Sequence, residues 1–344
     1  MFENFHGNAV AQTALSTMLA SRRIPQTLLL SGPGGVGKAT LARRFAQRLL
    51  NHPELIEADD LSLEANRALI AEREKWPSEK RSADPLLFSS HPDFITFCPE
   101  GPLRQISIQQ MRQLRDRAQL LPLKGAWRVF LVDQFDRSSQ QAADSILKTL
   151  EEPPPHLILL LTAENAYDLP PTIRSRSIQF QLTPLSDAEM RVFAAERKLT
   201  DVDQRLALAA GSPGLALTLD LAAEKRRRDV MLAMLQSAAG TAKFGAWVKS
   251  SESFIASKSE KLDLSFRIVY SLLEDVLALQ HGHDAVRNRD IRPALEELAR
   301  AVSFDWIREA SRRVDEMVAL QRRNVQKGPT LDAFVVAQRA LTRP

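Results

Sequence analysis

Residues 27–40 read TLLLSGPGGVGKAT, and a helical pattern, LARRFAQRLL, follows at 41–50. An apolar strand, a glycine-rich loop, a lysine and a helix in that order form the context of a phosphate loop. Gly32, Gly34, Gly35 and Gly37 let successive backbone N–H groups turn inward, and the helix start adds favourable partial charge. Lys38 would neutralise phosphate oxygens. A glycine-rich turn of no consequence is the weaker account, given strand and helix in place. One position departs from the motif. A Ser or Thr hydroxyl should follow the lysine to coordinate magnesium, and Ala39 offers no ligand atom. Thr40 is next door, but one step along a helix turns about 100° away.

The other half of a nucleotide site should be an apolar strand ending in acidic residues. Val129–Asp133 (VFLVD) supplies it, with Asp133 as the magnesium-side carboxylate. In hydrolysing members of the large ATPase class a Glu follows and polarises the attacking water. Gln134 holds that place and cannot accept a proton at neutral pH. Loss of a general base costs a factor of about 10²–10⁴. Two catalytic groups are therefore absent together, which fits a site no longer used for hydrolysis.

Outward from the loop, strand patterns recur at Thr27–Ser31, Phe94–Cys98, Arg128–Asp133, Leu157–Thr162 and Ile178–Leu182. Several are continuous apolar runs, as expected when helices cover both faces of a parallel sheet. One intervening helix starts at Ser107 with Gln110 completing a capping box. Another carries Ala143, Ile146, Leu147 and Leu150 on one face and ends at Pro153–Pro155. Alternating strands and helices predict a doubly wound α/β domain over 1–182, with a charged, weakly patterned insertion at 51–90. After Ser186 strand signals nearly vanish. Short helices broken by GSPG at 211–214 give a small helical domain over 183–222. The Leu-, Ala- and Arg-rich remainder, 223–344, reads as a larger helical domain, its pattern running to about Arg343.

The 344-residue length suits two or three domains. Apolar content of 44% and charged content of 26% are those of an ordinary globular protein. No apolar run approaches a membrane span and the N-terminus lacks a signal pattern, so the expectation is a cytoplasmic protein without a membrane partner. The single cysteine, Cys98, excludes an internal disulfide and a cysteine-built zinc cage. A net charge of +4 is compatible with a nucleic-acid partner and decides little alone.

The segment DSILKTLEEPP at 144–154 is followed, after an apolar strand, by LPPTIRSRS at 169–177. HPD stands at 91–93, GSPG at 211–214 and QRRNVQKGPTLDAF at 321–334. Together these resemble the clamp-loader family of the AAA+ class, where K-T-L-E-E-P-P precedes a Ser-Arg-Cys motif. Within it the likeness is greatest to the delta-prime branch of bacterial DNA polymerase III. The resemblance implies an AAA+ phosphate-loop domain with a parallel sheet, a small helical lid, and a C-terminal helical collar that holds subunits in a ring. It implies a subunit that helps ATP-driven loading of a sliding clamp onto primer-template DNA. Implied partners are gamma/tau and delta subunits in a hetero-pentamer, and the clamp within that assembly.

The resemblance also gives Arg176 a role: the Ser-Arg-Cys arginine acts in trans, on the ATP of the adjacent subunit. Guanidinium is planar, permanently charged and suited to bidentate phosphate contact. Ser177 replaces the Cys, which does no phosphate chemistry. Hydrolysing relatives carry a γ-phosphate-sensing arginine in a G-S-x-R pattern, where this chain has Gly214. Many relatives hold a four-cysteine zinc module, which one cysteine cannot build. The expectation is a chain with no turnover of its own, no zinc and no required cofactor, whose loop and Lys38 leave room for weak ATP binding. The rivals are a hydrolysing gamma/tau-type subunit and a stand-alone phosphate-loop kinase, which would need an acceptor lid and no collar. Elsewhere, His281 and His283 read as a loop rather than a metal site, Lys225–Arg228 as a solvated helix face, and Arg112 with Arg115 as an exposed basic pair that could face DNA phosphate.

Overall fold

In the computed structural model, residues 2, 4–256, 262–284, 286–321 and 326–342 are described. Residues 322–325 of the QRRNVQKGPTLDAF stretch, and Arg343, lie outside them. The chain forms two compact units, Met1–Val202 with Ala209–Leu217, and Asp203–Leu208 with Thr218–Pro344.

In the first unit the elements run α1 (Ala9–Ser21), β1 (Thr27–Ser31), α2 (Lys38–Leu50), α3 (Pro53–Glu57), α4 (Glu64–Glu74), α5 (Ser78–Ala83), β2 (Leu87–Phe88) and β3 (Phe94–Phe97). Then come α6 (Ile108–Ala118), β4 (Arg128–Val132), α7 (Gln140–Ser145), α8 (Leu147–Glu151), β5 (Leu157–Ala163), α9 (Pro171–Arg174), β6 (Ile178–Gln181) and α10 (Asp187–Glu196). Helix α11 (Val202–Ala209), whose residues 203–208 belong to the second unit, and α12 (Pro213–Thr218) follow. The sheet order is β2-β3-β4-β5-β1-β6. All neighbours are parallel except β2 against β3. The expected doubly wound α/β fold is thus present, with β1 interior and its loop at the carboxyl end of the strand, where ligands of such sheets bind.

The apolar strands serve two cores because successive side chains point to opposite faces. Leu29, Phe130, Val132, Leu159 and Leu161 pack with Met111 and Leu114 of α6. Leu28, Leu30, Leu131, Ile158 and Leu160 pack with Leu15, Leu41 and Phe45 of α1 and α2. The expected strands are present with ends shifted by one residue, and the capping box at Ser107–Gln110 is formed in both directions. The helix expected over Ala143–Leu150 is instead two, α7 and α8, parted at Ile146 (φ −103°, ψ −1°). Ser145 Oγ donates back to the Ala142 carbonyl (2.7 Å), a bond that competes with the helical ladder.

The insertion at 51–90 holds α3, α4, α5 and β2, tied down by buried charge. Arg43 of α2 pairs with Glu57 (3.3 Å) and with Asp60. Arg73 pairs with Asp84 (2.9 Å) and lies 3.6 Å from Glu100. Asp59 accepts from Ser90 N (3.0 Å) and Ser90 Oγ (2.6 Å). Beneath them Ile70, Leu86, Phe88 and the free Cys98 form a small apolar cluster.

In the second unit α13 (Leu221–Ala239), α14 (Phe244–Ala256), α15 (Leu262–Gln280), α16 (Arg292–Ala301), α17 (Phe304–Gln321) and α18 (Lys327–Arg339) share one core around Trp247, Phe266, Trp306 and Phe334. Both indoles are satisfied: Trp247 Nε1 donates to Asp332 Oδ1 (2.7 Å) and Trp306 Nε1 to the Gln338 carbonyl (3.2 Å). The Lys225–Arg228 run is not wholly a solvated face. Arg228 is 2% exposed. It donates from Nη1 to Asp290 Oδ1 (2.8 Å) and Asn288 Oδ1 (3.3 Å). Its partners lie in the turn before α16, where Asn288 is itself held by Asp275 (2.8 and 2.9 Å). His281 and His283 lie just past α15, and no metal-binding group of three or more His, Cys, Asp or Glu occurs among the described residues. Arg112 and Arg115 are exposed on α6. No helix among the described residues is long and apolar enough to cross a membrane.

Candidate nucleotide site and the outward-facing arginine

β1 ends at Ser31 and the chain turns through Gly32 (φ 143°), Gly35 (φ 76°) and Gly37 (φ 99°) into α2. Each of these conformations favours glycine. Gly32 needs it most, because a Cβ there would fall onto the Leu182 carbonyl oxygen at the end of β6. Gly34 has no positive φ, and its nearest neighbour would be Glu164 Oε1 at 3.3 Å.

The carbonyls of Gly32, Pro33, Gly34 and Gly35 are all engaged. Lys38 Nζ donates to Gly32 O (2.5 Å) and Pro33 O (2.8 Å). From the short helices after β6, Ser212 Oγ donates to Gly34 O (3.0 Å) and Gly214 N to Gly35 O (2.9 Å). Among the described residues the N–H groups of Gly34, Gly35, Val36 and Gly37 donate to no protein acceptor. Carbonyls tied back and amides left over make an anion-binding nest at the start of a helix. Lys38 is buried, which pulls its pKa below the ordinary lysine value. The carboxylates of Glu164, Asp133 and Asp136 oppose that pull.

Ala39 does not reach toward a ligand. It is half-buried beside the core that includes Leu28, Leu41 and Phe45, and it carries no oxygen for a metal ion. Asp133 follows β4 and is 9% exposed. Thr162 Oγ1 donates to its Oδ1 (2.6 Å) and in turn accepts from Gln134 N (2.8 Å). Gln134 itself sits at φ 55°. Asp136 is half-buried, and that burial pushes its pKa up. At Gly214 a Cβ would lie 2.9 Å from Gly35 O. The glycine therefore allows the lid to touch the loop, and a phosphate-sensing arginine there would have to displace it. The residues sequence reasoning missed are Ser212, Glu164, Thr162 and Phe5, whose Cε2 would stand 2.8 Å from a Cβ on Gly37. Ser212 falls in the GSPG stretch and Thr162 in a strand pattern, but nothing local tells that their hydroxyls meet Gly34 and Asp133, because the partners come from distant parts of the chain.

Arg176 belongs to a different place. It lies between α9 and the edge strand β6, and its bonds are to Thr172 O (2.9 Å), Ser175 Oγ (3.4 Å) and Glu151 Oε1 (2.7 Å). None of these is a phosphate-loop residue. The Arg176 side chain is 33% exposed and that of Glu151 48%. Nearby, Arg174 stacks on the exposed ring of Tyr167 (4.8 Å).

The loop offers unpaired amides and a buried lysine, Ala39 and Gln134 offer neither a hydroxyl nor a carboxylate, and a partly exposed arginine stands at the sheet edge. A family model described as DNA polymerase III, delta subunit, matches residues 7–186. The delta' subunit of Pseudomonas aeruginosa DNA polymerase III is 31% identical over 209 residues, 59% of this chain and 58% of that one. The gamma subunit of Buchnera aphidicola (subsp. Baizongia pistaciae) is 28% identical over 185 residues, 54% of this chain and 45% of that one. This chain thus spans about half the length of these curated relatives. Among solved structures, a gamma-subunit-related protein of Thermotoga maritima aligns over 96% of this chain and 99% of its own, with 18% identity and a TM-score of 0.40. With its phosphate-loop sheet and a family match over more than half its length, the chain belongs to the DNA polymerase III delta subunit family.

Proposed function

We propose that this chain is a non-hydrolysing, delta-prime-type subunit of a DNA polymerase III clamp loader. In this reading it sits in a ring with gamma/tau and delta subunits, helps the ring place a sliding clamp on primer-template DNA, and lends Arg176 to a neighbour's ATP. The observation that carries the reading is the split between loop and arginine. The loop folds completely, yet Ala39 carries no hydroxyl and Gln134 stands where a carboxylate is needed, while Arg176 is held at the sheet edge. A hydrolysing gamma/tau-type subunit is the second reading, favoured by the gamma relatives. Against it weigh Ala39, Gln134 and the close approach of Gly214 to the loop.

The two readings separate in one experiment. The purified chain is expected to show no magnesium-dependent ATP turnover above background, with or without primed DNA. Weak ATP binding that Lys38→Ala abolishes is compatible with the proposal, because the amide nest is intact. Robust turnover by the isolated chain, lost in Lys38→Ala, would replace the proposal with the gamma/tau reading. Failure to co-purify with gamma/tau and delta subunits from the same organism would remove the assembly altogether.

A further inference from the structure

Glu151 sits in the last turn of α8, just before Glu152 and the prolines that end the helix. A carboxylate there faces the negative end of the helix dipole and costs local stability unless paired. Its Oε1 is 2.7 Å from Arg176 Nη2. On the other side of the guanidinium, Nη1 is fixed by Thr172 O, within its own turn. Two anchors from separate helices thus hold one long, flexible side chain. Among the described residues, Nε and the second N–H of Nη2 have no acceptor. The Nε–H in particular is left for a phosphate oxygen to take.

We infer that Glu151 is a positioning residue for Arg176, fixing the guanidinium in the orientation it presents to a neighbour's phosphates. The inference rests on the in-trans role proposed for Arg176. An arginine fixed in advance loses less side-chain freedom when it meets its target. A carboxylate is suited to the task because a single oxygen, Oε1, holds Nη2 and leaves Nε–H uncommitted. Ground-state ATP binding belongs to the neighbour's own loop, so the contribution of Glu151 falls on the chemical step.

The test is a double-mutant cycle in the reconstituted complex of this chain with the gamma/tau and delta subunits, measured as DNA-stimulated ATPase after equal assembly has been checked. Glu151→Ala is expected to lower the hydrolysis rate at the one site Arg176 serves about three- to tenfold, a smaller loss than Arg176→Ala gives, with KM for ATP unchanged. Glu151→Gln, whose carbonyl oxygen can accept the same bond, is expected to recover most of that loss. In an Arg176→Ala background Glu151→Ala should change nothing further. Wild-type kcat in Glu151→Ala, where Arg176→Ala is impaired, overturns the positioning role alone. So does an undiminished Glu151→Ala effect in the Arg176→Ala background, which would mark the glutamate as merely structural. If Arg176→Ala is itself without effect, the in-trans reading fails and the inference with it.

Discussion

Arg176→Ala is expected to assemble normally and to lose about 10³-fold or more of the hydrolysis rate at the one ATP site it serves. The physical reason is that charge spreads over the phosphate oxygens as the bond to the leaving group breaks. A planar, permanent cation with forked donors compensates that charge without reorganising. Arg176→Lys should recover little, because an ammonium is a point charge and cannot make the fork. In the whole ring the loss should be partial, since other sites would receive arginines from other subunits. DNA-stimulated ATPase and clamp loading by rings holding the wild-type chain, Arg176→Ala or Arg176→Lys are the measurements. Normal loading by both variants would reduce Arg176 to a surface arginine and this chain to a structural part.

Gly32→Ala is expected to damage the fold rather than the chemistry. The residue lies at φ 143°, and a Cβ would collide with the Leu182 carbonyl oxygen at the end of β6. That oxygen belongs to backbone fixed in register, since Leu182 N donates to Ser31 O (2.7 Å) and β6 pairs with β1. Strained backbone and overpacking together cost about 3–5 kcal/mol, which should lower the melting temperature of the first unit by about 10 °C. Gly34→Ala is the control. Its Cβ would meet only the movable end of Glu164 at 3.3 Å, so its cost should stay within about 1 kcal/mol. Thermal unfolding followed by circular dichroism decides it. Equal melting temperatures would mean that the loop glycines share one role.

The phosphate loop was legible because its signal is contiguous: strand, glycines, lysine and helix lie within 27–50. Most of the sheet was legible for a similar reason, since the apolar runs of β1, β3, β4 and β5 require cover on both faces, whereas the largely exposed β6 alternates and the two-residue β2 left no signal. Contacts between distant residues left no such trace. Ser212 meets Gly34 across 178 positions, and Arg228 meets Asp290 across 62. In sequence Arg228 is one of a run of four basic residues, and only the fold removes it from water. The charged insertion showed little pattern for the same reason, because Arg73, and Arg43 of α2 just before it, are buried by partners that local composition does not single out. The break at Ile146 escaped because the apolar spacing over 143–150 is helical on either side of it. Ala39 and Gln134 could be read as defects at once, whereas Glu151 beside Arg176 needed coordinates.

Cys98 has a practical consequence. It lies 1% exposed beneath Ile70, Leu86 and Phe88, and burial, with Asp133 and Glu100 adding to it, drives the thiol far above its ordinary pKa. Maleimides and related reagents attack the thiolate, so the native chain should take up essentially no dye at neutral pH while folded. Mass spectrometry after labelling checks this directly. A cysteine introduced by Tyr167→Cys, at a position 80% exposed and close to Arg174 and the edge strand, would then be the sole reactive thiol. A fluorophore attached there would report on the approach of a neighbouring subunit, with no native residue removed to silence the background.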